Sequence, residues 1–249
     1  MLPATVFARA LIFLAGVSCT VAHADASLDY EVKLTAEYRE ASSSIKVLDK
    51  YASFRVGGVG VRVQANHQSL GSFYLGGGGG YSPNESASFV GATISGSADS
   101  TFYAGGYEYN HQISSDSQVF MTADYLVYDV EGDFVGSRAG VPVTANIKTD
   151  VTIGDINIGW RTAVSDTLSL GVGLGASHWE IDAVARGVLG DSIRATTDAS
   201  AKGWDSSQFI RAEFIAFDVP LILKYQRAEL NADNSVLLHA LSLQITLPL

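Results

Sequence analysis

The sequence predicts an all-β protein, an antiparallel transmembrane β-barrel of about ten strands, and three observations predict it. Apolar and polar residues alternate strictly over stretches of nine to eleven residues, the length a tilted strand needs to cross a bilayer. The connections between these stretches alternate between short and long, as in barrels with tight turns on one side and large loops on the other. No apolar run after residue 24 approaches the ~20 residues of a membrane helix.

The chain has 249 residues, and its first 24 read as a removable export signal. Arg9 is followed by the apolar stretch Ala10–Ser18 and by Ala22-His23-Ala24, a small-x-small cleavage pattern. Cleavage after Ala24 starts the mature chain at Asp25 and removes Cys19, the sole cysteine. Gly16, three residues before Cys19, argues against lipidation. The exported chain then uses no disulfide. Residues 25–249 form one domain, since no linker-like segment divides them. Without Arg9 the chain holds 15 basic and 26 acidic residues, a formal charge of −11, which argues against nucleic acid as a partner.

The first strand shows the pattern most cleanly. In Asp29–Arg39, DYEVKLTAEYR, the residues Tyr30, Val32, Leu34, Ala36 and Tyr38 oppose Glu31, Lys33, Thr35, Glu37 and Arg39. Next, Phe54 and Val56 alternate, then Val59, Val61, Val63 and Ala65, with a phase slip that a β-bulge at Gly57-Gly58 would explain. Phe73 to Tyr81 alternate through the glycine run Gly76–Gly80. That run lacks the GK[ST] of a nucleotide loop and marks curvature or close packing. Further strands centre on Tyr103–Tyr109, Val119–Val127, Gly154–Trp160, Leu168–Ala176, Ile210–Ala216, Leu221–Tyr225 and Leu237–Leu247. Short connections fall near 67–71, 111–117, 163–167 and 217–220. Long loops are expected near 40–52, 82–100, 130–148 and 180–205, with a shorter one at 228–235. Ten strands put both termini on the short-turn side. Eight and twelve are the alternative counts, twelve if Phe89–Ser95 forms a hairpin of its own.

A strand greasy on one face and charged on the other suits lipid outside and a polar enclosed interior. In this pattern the chain resembles the small Gram-negative outer-membrane β-barrels, the OmpA/OmpX kind and its ten-stranded relatives. The resemblance covers nearly all of residues 28–249 and rests on pattern alone. It implies residence in the cell outer membrane, with outer-membrane lipid and lipopolysaccharide as partners. Such barrels usually end in an aromatic residue, whereas this chain ends Leu247-Pro248-Leu249.

The inward face carries the acids Glu31, Glu37, Glu108, Asp124, Asp155 and Glu213, and the bases Lys33, Arg39, Arg55, Arg62, Arg161, Arg211 and Lys224. This near balance favours a charge-paired, largely filled lumen, since ten strands lie close to the filled end of the size range. Gly171, Gly173 and Gly175 are expected to make room for long arginines from other strands. Tyr30, Tyr107, Tyr109 and Trp160 fall near periplasmic strand ends, and Tyr38, Phe54, Tyr81 and Tyr125 near outer ends, as two aromatic girdles.

Three functional readings follow. The first is a structural or surface-recognition barrel whose outer loops take a ligand. The second is a narrow porin-like channel for small solutes. The third is an outer-rim lipid- or peptide-modifying enzyme using His178, Glu180 and Asp182, for which the plainer reading is an interfacial histidine beside the girdle residue Trp179. His67 and His111 read as turn residues and His239 as interfacial. No catalytic, cofactor-binding or metal-binding constellation is expected, and no cofactor.

Overall fold

The computed structural model describes residues 30–47, 50–67, 69–231 and 235–247. The export signal, with Cys19 and the cleavage site, lies outside these residues, as do the side chains of Tyr30, Phe54, Arg55 and His239. Ten strands follow one another: β1 (Tyr30–Val47), β2 (Lys50–His67), β3 (Gly71–Phe89), β4 (Ala92–Gln112) and β5 (Ser117–Arg138), then β6 (Val141–Ser165), β7 (Leu168–Leu189), β8 (Ile193–Ala216), β9 (Val219–Asn231) and β10 (Ser235–Leu247). Each pairs antiparallel with its sequence neighbours, and β1 pairs with β10 to close the barrel.

The strands are much longer than a bilayer requires. β6 has 25 residues and β8 has 24, against the 9–11 that span the hydrocarbon. The segments expected to be long loops are the continuations of strands, joined by tight tips at Val90-Gly91, Ala139-Gly140 and residues 190–192. Phe89–Ser95 forms no separate hairpin. It is the tip where β3 turns into β4, and the count stays at ten.

The physical reason is an exchange of faces. On the lower part of β5, Met121 and Tyr125 point outward and are exposed, while Thr122 and Asp124 point inward. Farther up the same strand Asp129, Glu131 and Asp133 take the outward parity, and Tyr128 and Phe134 are buried inside. β6 does the same, with Ile156, Ile158 and Trp160 outward below and Val143, Ala145, Val151 and Ile153 buried inside above. Where the wall meets lipid its outside must be apolar; where it meets water its inside must be. Parity is continuous and only the chemistry changes sides.

The expected bulge at Gly57-Gly58 does not occur. β1 and β2 pair without a register shift from Val47↔Lys50 to Tyr30↔His67. Register shifts occur instead at Ser82/Glu85 and Ala163/Ser165. The glycine run also has a packing role. A Cβ on Gly60 or Gly78 would come within 2.7 or 2.8 Å of the Phe102 ring, which lies across both.

The short turns form a laced ledge. Ala163 N donates to Asp116 O at 2.7 Å, and Ile215 N to Thr167 O at 3.0 Å, tying three neighbouring turns together. The tip of β8–β9 is Phe217-Asp218, with φ of 54° and 61°. This is the two-residue geometry that Asn-Gly adopts without strain, and a bulky residue there costs about 1–2 kcal/mol.

Candidate functional site: the barrel interior

The interior is stacked in layers. Nearest the short turns, Arg161 pairs with Glu213, and Arg211 reaches Glu108 at 2.7 Å and Glu213 at 2.8 Å. Arg161 also donates to Asn110 Oδ1 at 3.2 Å. Both guanidinium groups lie within 6 Å of the Phe120 ring centre, at 5.9 and 5.7 Å, close enough for cation–π attraction.

The next layer centres on Glu37, whose side chain has 0% exposure. Arg39 Nε and Arg62 Nη2 each donate to it at 3.0 Å. Arg62 also stacks on Tyr74, 3.7 Å from the ring centre, and Tyr74 donates to Asp124 Oδ1 at 2.5 Å. Lys224 Nζ stands 3.9 Å from Asp124 Oδ2. Asp155, directly across the ladder from Asp124, accepts a hydrogen bond from Ser177. Between these groups is a cavity of about 150 Å³ lined by Arg62, Tyr74, Asp124, Arg211 and Lys224. The Nε groups of Arg62 and Arg211 are buried without a hydrogen-bond partner among the described atoms; Arg211 Nε meets Glu213 only as an ion pair at a poor angle. A polar cavity of this size with unsatisfied donors has the room and the partners that bound water needs.

A buried polar ladder flanks the chamber. Ser207 donates to Asn157 at 2.9 Å, and Asn157 to Thr122 at 3.3 Å. Above it the interior turns apolar. Phe102, Tyr128, Val151, Ile153, Trp179 and Ile181 form one cluster. Farther out, Phe89, Ala92, Ile94, Phe134, Val143 and Ala145 form a second.

Ten of the expected lumenal charges enter these networks: Glu37, Arg39, Arg62, Glu108, Asp124, Asp155, Arg161, Arg211, Glu213 and Lys224. Glu31 and Lys33 pair with each other at 2.9 Å, exposed at the end of β1 and apart from the rest. The inward glycines of β6 and β7 make room for more than arginines. A Cβ on Gly173 would fall 2.3 Å from the Phe209 ring, and one on Gly159 2.5 Å from Phe120. At Gly173 a flat ring takes the space, at Gly175 the Asn157 amide does, with Oδ1 2.4 Å from an added Cβ, and at Gly171 Arg161 and Phe120 stand equally near, at 3.6 Å. Pattern reading put Asn157 and Ser177 on the inward face without a role, took Trp179 for a girdle residue, and missed Tyr74, Phe102, Phe120 and Phe209. Their shared signal is inward parity, the same as that of the charges.

On the outer wall, Tyr38, Tyr81, Tyr109, Tyr125 and Trp160 are exposed. Tyr107 packs on Phe73 with 4.6 Å between ring centres and donates to Leu70 O. Tyr103 and Trp204, which the girdle reading did not include, are each 67% exposed. His178 belongs to this wall. Its ring lies 4.9 Å from that of Trp204, and Glu180 and Asp182 share its outward parity. Trp179 points the other way, so it is no girdle residue. It is 2% exposed and donates from Nε1 to Asp205 at 2.8 Å. His67 Nδ1 accepts from the Ser69 and Leu70 amides, closing its turn.

No family model matches the chain, and no curated protein does. Solved structures do. The outer-membrane protease OmpT of Escherichia coli shares 8% identity over 87% of this chain and 94% of its own, with a TM-score of 0.52. The translocator domain of the autotransporter NalP from Neisseria meningitidis shares 13%, covering 98% and 99%, at 0.49. Ail, the attachment invasion locus protein of Yersinia pestis, shares 12%, covering 87% and 99%, at 0.41. At such identities the likeness concerns the fold alone.

Proposed function

We propose that this chain, which has the fold of the small outer-membrane β-barrels of Gram-negative bacteria, is a non-conducting barrel that displays a recognition surface outside the membrane. The observation that carries the reading is the layered interior. Two apolar clusters built by β3 to β7 above the polar chamber, and an ion-pair layer below it, support a closed lumen. A passing ion would need the apolar layers to part and would lose its hydration there.

The outer extension supplies the recognising part. Above Ser207, β8 pairs with β7 on one side and with no described strand on the other. Residues 196–202 are exposed on both faces of the strand. Its main-chain donors and acceptors are therefore open to an extended segment of another protein. The opposite border is tucked in: the Phe89 ring packs against Gly187, where an added Cβ would lie 2.7 Å away. Outer-membrane lipid and lipopolysaccharide are the proposed neighbours of the wall. His178, on the outward face against Trp204, is read as part of that wall and not as a catalytic base.

The test is solute entry into proteoliposomes carrying the refolded barrel. Small sugars are expected to enter no faster than into protein-free vesicles. Entry at porin-like rates would support the narrow-channel alternative and remove this reading.

A further inference from the structure

The end of the barrel opposite the recognition surface carries a repeated pattern of exposed apolar and acidic side chains. Three consecutive short turns each expose one large apolar side chain and one aspartate. These are Ile113 with Asp116, Val164 with Asp166, and Phe217 with Asp218. Ile113 is 61% exposed, Val164 58% and Phe217 99%. The turns are two strands apart, about 10 Å along the rim, and the two backbone hydrogen bonds between them hold the three as one ledge. Arg161 and Arg211, the arginines nearest this end, have side chains only 12% exposed and are turned inward to Glu213 and Glu108. No exposed lysine or arginine sits on these turns among the described residues.

We propose that this ledge is a docking surface for a soluble periplasmic protein whose contact strip is basic, with apolar recesses between its charges. The pegs would fill the recesses, and the aspartates would pair with the lysines or arginines. Phe217, 99% exposed, is the most prominent peg. A phenylalanine followed by aspartate occupies two left-handed positions that asparagine and glycine would fill without strain, and backbone strain of this kind is kept where a side chain must be presented.

The other occupant of an apolar rim is the membrane itself, with the pegs sunk among inner-leaflet headgroups. Charge argues against it. Each peg has a carboxylate close by in sequence with no exposed cation on its turn, and phosphate headgroups repel carboxylates. A basic protein surface is attracted by all three.

Two measurements on the full chain in zwitterionic nanodiscs decide it. The first is affinity for a synthetic peptide of alternating lysine and leucine. Asp116→Asn, Asp166→Asn and Asp218→Asn together are expected to weaken binding about ten-fold, with Phe217→Ser also weakening it. A peptide of alternating glutamate and leucine should not bind. Because the outer extension is also acidic, the second measurement locates the contact. The Phe217→Trp variant should be quenched by aqueous acrylamide and not by brominated acyl chains, and the basic peptide should shield it. Affinity unchanged in the triple variant, no binding by the parent chain, or quenching by brominated lipid would each overturn the proposal. Unchanged heat-modifiable migration of the variants shows that the barrel still folds.

Discussion

Replacing Glu37 by glutamine is expected to destabilise the barrel by about 3–5 kcal/mol. Glu37 is the buried anion between Arg39 and Arg62, each 3.0 Å away. Gln244 contacts Arg62 only at 3.4 Å and carries no charge. Glutamine keeps the shape and removes the charge, so two guanidinium groups are left near one another in a lumen that also holds Lys224. Removing one member of a buried ionic group costs more than the group contributes as a whole. Glu31→Gln is the contrasting variant. Its partner Lys33 and Glu31 itself are largely exposed, so the loss should be within about 1 kcal/mol. Urea midpoints, read from heat-modifiable migration in lipid vesicles, compare the two. Equal shifts would mean that the lumenal ions are as well hydrated as surface ones.

Replacing Trp179 by alanine is expected to cost about 3–5 kcal/mol, concentrated in the outer extension. Among the described residues Trp179 is the largest fully buried side chain, and it packs against the backbone at Gly203, where an added Cβ would lie 3.0 Å from its ring. Its removal also leaves Asp205 without the indole donor at 2.8 Å. Trp179→Phe keeps most of the volume and loses the hydrogen bond, so about 1–2 kcal/mol is expected. Hydrogen exchange should place the change in the upper halves of β5, β6, β7 and β8, with the lipid-embedded halves still protected. Loss of protection throughout would show that the two halves of the strands fold as one unit, contrary to the separate apolar clusters.

The fold class was legible because a lipid-facing strand allows few errors. Tyr30–Arg39, Val119–Val127 and Gly154–Trp160 alternate, and each is part of a strand. The upper halves were not legible for a single reason. Reading for an outward apolar face makes Asp129, Glu131 and Asp133 look like a polar loop, although Tyr128, Val130 and Phe134 alternate with them as strictly as any membrane strand. A pattern reader that allowed the apolar parity to switch would have found β5 and β6 in full.

The lumenal charges were accessible for the same reason as the strands, since parity alone sends Glu108, Asp124, Asp155 and Arg211 inward. Their partners were not. Arg211 meets Glu108 across 103 positions, and Arg62 meets Gln244 across 182. Such pairs depend on how closure staggers the strands, which single-strand periodicity does not carry. The rings laid across Gly60, Gly78 and Gly173 belong to the same class. Glycine-rich strands marked close packing, but what packs there comes from strands far along the chain.

In the proposed reading, apolar layers above and ion pairs below close this barrel. Single-channel recording of refolded residues 25–249 in a planar bilayer tests it most directly, once a gel shift shows folding. A silent membrane at all moderate voltages is expected. Discrete, reproducible steps whose ion selectivity changes on substituting Arg62, Arg161 or Glu108 would contradict it, because the current would then be passing through the layers that are said to seal the lumen.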